Sequence, residues 1–98
     1  ANQPINNARG EWQVSRVYSI LDEGALALQH GKQSLKICLD NGIGDFDLAF
    51  GYEAVARAYK ALGKTAQQKE NKQLGIACCD AIADNDDRDY TIGSFADL

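Results

Sequence analysis

One histidine and three cysteines are the residues of this chain best equipped for nucleophilic or metal chemistry. A Cys–His pair requires the imidazole within hydrogen-bond reach of the thiol. His30 stands eight residues before Cys38, two turns away along one helix and out of reach. Cys78, Cys79 and Asp80 are consecutive and lack the paired ligand spacing of a zinc site. The "GIG" of residues 42–44 lies between helical patterns rather than after a strand, so it is no phosphate loop. Asp84, Asp86, Asp87 and Asp89 resemble a calcium loop in composition alone, with no central glycine and no glutamate at its twelfth position. Neither catalysis nor a metal or other cofactor is expected. An odd cysteine count with two cysteines adjacent does not suit a disulfide framework, and small buried thiols in a reducing cytoplasm are expected instead.

The remaining candidates are cations. "GEWQVSRVYSIL" at residues 10–21 returns as "GYEAVARAYKAL" at 51–62. Gly10, Val14, Arg16, Tyr18 and Leu21 reappear as Gly51, Val55, Arg57, Tyr59 and Leu62, each 41 positions later. Two arginines in equivalent places can hold a carboxylate through bidentate hydrogen bonds. Trp12 and Phe50 can supply apolar anchors for a partner's side chain. Purely structural roles are a strong alternative. Glu53 and Arg57 are four apart and can pair along a helix, and Trp12 and Arg16 share that spacing and can stack.

The totals narrow the partner. At 98 residues the chain is one domain at most, with a thin core. A net charge of −4 leaves no basic surplus for phosphates, so nucleic acid is not an expected ligand. No apolar run approaches the ~18 residues of a membrane span, so no membrane partner is expected. "ANQPINNARG" lacks the basic and apolar regions of a secretory signal. Methionine is absent, and a fragment, a processed product or a tagged chain is expected on that ground.

The elements that must position these side chains are helices, because strand alternation is missing and Pro4, the only proline, precedes everything periodic. The first helix is expected from about Asn7 to Leu21, with Ala8, Trp12, Val14, Val17, Tyr18 and Leu21 on one face. Asp22 can cap a second, running to about Asp40 with a stripe of Leu28, Leu35, Cys38 and Leu39. Asn41 and Gly42 end it. Asp45 can cap a third, carrying Ala49, Tyr52, Val55, Ala56, Tyr59 and Leu62 and ended by Gly63. Thr65 and Gln68 have the form of a capping box for a fourth. That helix reaches about Ala83, with Ala66, Leu74, Ala77, Cys78, Ala81 and Ile82 as its stripe. The acidic run suits the start of a short fifth helix bearing Tyr90, Phe95 and Leu98. Gly24, Gly31, Gly51 and Gly75 fall at or inside helices, where each costs about 1 kcal/mol relative to alanine, and close helix–helix approach is the expected reason.

Tandem helical hairpins with this pattern resemble the tetratricopeptide repeat. Val55, Ala56 and Tyr59 fall on the family's large, small and aromatic positions, and Val14, Ser15 and Tyr18 follow suit in the first repeat. Ala27 and Ser34 take the small positions of its second helix. The period of 41 exceeds the family's ~34, Asp22 stands where glycine is usual, and Gln68 and Lys72 replace small and aromatic residues. The resemblance covers residues 7–83 and is shared with bacterial helical-repeat proteins. It implies an all-α fold of tandem antiparallel αα-hairpins, about two repeats (7–42 and 45–83) plus a C-terminal capping helix (86–97), as a right-handed α-solenoid fragment. It implies a concave face lined by Arg9, Trp12, Gln13, Arg16 and Ile20 of the first repeat and Phe50, Glu53, Arg57 and Lys60 of the second. The function implied is a non-enzymatic, cytoplasmic module binding a protein or peptide segment. The alternative is a self-associating structural segment of a longer regulatory protein, forming a homo-oligomer through an exposed apolar edge.

Overall fold

A computed structural model describes residues 3–98 and contains five helices: α1 (Pro4–Ile20), α2 (Gly24–Asp40), α3 (Asp45–Ala61), α4 (Thr65–Cys79) and α5 (Asn85–Gly93). No strand occurs among the described residues. α1 begins at Pro4, three residues before the expected start, because proline's missing N–H costs nothing in the first helical turn. No helix among the described residues is long and apolar enough to cross a membrane.

The turns carry the 41-residue offset in their backbone. Asp22 has φ +58° and Gly63 has φ +72°. After α1, the amides of Asp22 and Glu23 donate to the carbonyls of Ser19 and Tyr18. After α3, those of Gly63 and Lys64 donate to Lys60 and Tyr59. Both are left-handed helix terminations that satisfy the last carbonyls. Asp22 therefore closes α1 and does not cap α2, whose N-cap position is Glu23. Two further expected caps are replaced. Gly44 precedes α3 in place of Asp45, and Lys64 precedes α4 in place of Thr65, neither with a side-chain cap bond. Gln68, expected to reach back to Thr65, donates instead to the carbonyl of Leu98 at 3.1 Å. The acidic run does start α5: the Asp84 carboxylate accepts from the Asp87 amide at 2.8 Å.

Small residues occupy most of the closest helix contacts, with Leu35 and Leu62 packed against glycines. α2 buries Gly24, Ala27, Gly31, Ser34 and Cys38, while Leu39 of the expected stripe lies exposed. The cause is close approach: a Cβ on Gly31 would sit 3.3 Å from the backbone of Ala54 and Val55, and one on Gly51 3.2 Å from the Leu35 Cα. Ser15 Oγ donates to the Ala27 carbonyl at 2.7 Å and Ser34 Oγ to the Ala8 carbonyl at 2.8 Å, tying α1 to α2. α1 buries Ala8 and Ser15, whereas Val14, Val17 and Leu21, expected inside, are exposed.

α4 stops at Cys79, and Ile82 packs from the following turn. The expected α4 stripe is largely absent from the core; Ala66 and Leu74 are exposed, and Gly75 and Cys79 are buried. α5 ends at Gly93, so Phe95 and Leu98 belong to the turn after it. Phe95 is fully buried with Ala49, Cys79 and Ile82, backed by Phe46, Ile76, Cys78 and Leu98. Tyr90, expected beside Phe95, is exposed. Cys38 and Cys79 are themselves 41 residues apart and both fully buried, and burial pushes both thiols up.

Candidate functional site

Glu53 is an ionisable side chain with 1% exposure on the inner side of α3. Such burial requires partners. Trp12 Nε1 donates to its Oε1 at 3.1 Å; Arg57 Nε donates to Oε2 at 2.9 Å and Arg16 Nη1 to the same oxygen at 3.3 Å. The Glu53–Arg57 pair is the expected four-residue pairing. What Trp12 and Arg16 share across the helix gap is the Glu53 carboxylate.

The second edge of the Arg57 fork grips the chain's own C-terminal segment. Nη1 donates to Asp97 Oδ2 at 2.5 Å, and Nη2 to Asp97 Oδ1 and to the Ser94 carbonyl, both at 3.0 Å. Lys60 Nζ donates to the Asp97 carbonyl at 2.8 Å. The hydrogen bonds from Arg57 hold the Asp97 carboxyl down at about 2, against the opposing effect of its partial burial.

Two clefts flank this cluster along the α1–α3 junction. One, of about 250 Å³, is lined by Arg9, Trp12, Gln13, Phe46, Phe50 and Tyr90 among others. Its aromatic walls are in mutual contact, with Trp12 and Phe50 centroids 5.3 Å apart and Phe46 and Phe50 6.5 Å apart in edge geometry. Arg9 lies 5.6 Å over the Phe46 ring and holds both oxygens of Asp47, at 2.9 and 3.0 Å. The other cleft, of about 420 Å³, is bounded by Arg16, Ser19, Ile20, Asp22, Arg57, Lys60 and Ala61. Here Arg16 is 42% exposed and, among the described residues, spends one N–H on Glu53. Ser19 Oγ is shielded from solvent and has no hydrogen-bond partner among the described residues.

The expected residues thus separate into three groups. Trp12, Arg16 and Arg57 converge on the Glu53 carboxylate. Gln13 and Phe50 join Arg9 and Trp12 around the aromatic cleft, and Ile20 and Lys60 join the arginines around the basic one. Asp97, Asp47, Phe46 and Ser19 were not legible as site residues. The partners of Asp97, Asp47 and Phe46 lie up to 40 positions away in sequence, and no spacing rule announces such a contact. His30 lies apart from the cluster, its Nδ1 2.6 Å from Glu11 Oε2 and its ring stacked on Tyr18.

Compared with known proteins, this chain matches no protein-family model, no curated protein and no solved structure.

Proposed function

We propose that the chain is a tetratricopeptide-like, non-enzymatic module that holds an acidic peptide segment of a partner along its α1–α3 face. The observation that carries the reading is the grip of Arg57 and Lys60 on Ser94–Asp97, where cations take both a carboxylate and main-chain carbonyls. That is the chemistry of peptide recognition, made within one chain. Beside it, the basic cleft offers cationic donors to a second segment: the open part of Arg16, with Lys60. Charge complementarity selects a carboxylate there. The aromatic cleft supplies the apolar anchor that such sites use. On α1 the two clefts are centred about eight residues apart, ~12 Å along a helix axis. An extended peptide covers that with three or four residues. The ligand class is therefore an aromatic or large aliphatic residue followed three or four positions later by Asp or Glu.

Trp12, the only tryptophan, reports occupancy by fluorescence. The probe is acetyl-Phe-Ala-Ala-Ala-Asp-amide, with the Asn version as control. Saturable binding is expected, at least ~10-fold weaker for the Asn peptide and for Arg16→Gln, which removes the charge without setting a carboxylate against Glu53, in line with a lost charge-assisted hydrogen bond. Equal binding by Arg16→Gln, or none by the unaltered chain, refutes the reading. Reversal of Arg57 is unsuitable as a test, because a new carboxylate would face buried Glu53 and Asp97 and weaken the fold itself.

A further inference from the structure

The exposed apolar face of α1 has a counterpart elsewhere in the chain that is covered. α3 receives α2 through Gly51, Ala54, Val55, Ala61 and Leu62. A Cβ on Gly51 would meet Leu35; one on Gly31 would meet Ala54 and Val55; one on Gly24 would meet Leu62 and Ala61. Forty-one positions earlier these residues are Gly10, Gln13, Val14, Ile20 and Leu21, with Val17 matching Ala58. Val55 is 3% exposed, Ala58 0% and Leu62, at the edge of the contact, 37%, but Val14 is 40%, Val17 54% and Leu21 63%. Ile20 is also exposed, and a Cβ on Gly10 would meet nothing within 4 Å. α1 thus presents an uncharged surface in the register of the α3 face, including the glycine that admits close approach.

We infer that this face of α1 docks an amphipathic helix of the α2 type, with glycines seven apart and a leucine four residues after the second, as in Gly24, Gly31 and Leu35. The occupant's chemistry follows from what fits the equivalent face of α3. The chain's other second-hairpin helix, α4, does not qualify when supplied by another copy. Thr65 and Lys72 stand at its glycine-equivalent positions, and α4 is already engaged by Phe95 and Leu98. A lysine where two backbones touch would hold the helices apart.

The test supplies such a helix in register. A chain in which residues 4–47 are joined directly to residue 7 of the full sequence places a copy of α2 41 positions ahead of its original. One cooperative transition is expected, with a midpoint raised by roughly 5 °C or more. Val17→Asp is expected to shift the original chain by no more than about 1 °C, since it is an exposed site, and to abolish the gain in the extended chain. Separately, a peptide of residues 23–42 added to the original chain is expected to shift the methyl resonances of Val14, Val17 and Leu21 and to spare Val55. No gain in midpoint, two separate transitions, or an extended chain indifferent to Val17→Asp overturns the inference. So does a dimer of the original chain that Val17→Asp dissociates, because the face would then belong to a second copy.

Discussion

Glu53 concentrates the energetics of the site in one carboxylate. Its removal leaves the Trp12 indole N–H and the Arg57 Nε without their partner in a half-buried setting. Glu53→Ala is expected to cost about 3 kcal/mol or more in urea unfolding, and Glu53→Gln less, because the amide oxygen still accepts one of these bonds. A loss below ~1 kcal/mol for the alanine variant would mean the cluster is incidental. Asp97 behaves differently. Its carboxyl is lowered from 3.8 to about 2, chiefly by hydrogen bonds from Arg57. The folded state therefore binds this proton less readily than the unfolded state. The resulting stability is present above pH ~4 and is lost as pH falls toward 2. With the side chain 56% exposed, solvent screening keeps the contribution under about 1 kcal/mol. Asp97→Asn is expected to destabilise the chain at pH 5 and to converge on it as pH falls through about 2; a pH-independent difference would contradict the assignment. At this scale the sequence revealed the Glu53–Arg57 pair, because four residues make one helical neighbourhood. The partners Asp47 and Asp97 depend on packing across the whole chain and were hidden.

At the scale of elements, helix number and order were legible, since glycine and acidic punctuation mark them. The packing stripes were less so. Periodicity selected Leu28, Leu35, Cys38 and Leu39 for the α2 core; Cys38 is fully buried and Leu35 meets Gly51, but Leu39 is exposed, and the closest contacts are made by Gly24, Gly31 and Ser34, whose smallness lets the backbones touch. The four glycines singled out for close approach do mark such contacts. Gly75 is the tightest: a Cβ there would lie 2.4 Å from Phe95 Cζ. Gly75→Ala is expected to cost roughly 1–3 kcal/mol by displacing Phe95, and with it the segment that places Asp97 on Arg57. Gly10→Ala, with open space at its Cβ, is expected to stabilise α1 by roughly 0.5–1 kcal/mol. Thermal unfolding of the two variants side by side checks both signs, and a neutral Gly75→Ala would contradict the packing described for Phe95. The misplaced caps have a physical origin too. Asp22, Asp45 and Thr65 are good cap types, but Asp22 and Asp45 themselves take positive φ, and Gly63 does so just before Thr65, so the cap position falls on a neighbour in each case.

For the whole molecule, the 41-residue offset is visible both in the sequence and in the paired turn geometry at Asp22 and Gly63. Side chains depart from it where the surroundings differ. Tyr18 stacks on His30, while Tyr59 lies 5.9 Å from Lys32 Nζ. Which apolar face is covered was not legible, because the periodicity of α1 and α3 is the same and only the presence of a neighbouring helix distinguishes Val14 from Val55. The central claim is that the α1–α3 face takes an acidic segment between its basic and aromatic clefts. It is tested most directly by amide and indole resonances of the labelled chain titrated with acetyl-Phe-Ala-Ala-Ala-Asp-amide. Saturable shifts are expected at the Trp12 indole, Arg16, Ser19 and Lys60, much reduced for the Asn peptide. Shifts elsewhere only, or identical shifts with both peptides, would contradict it.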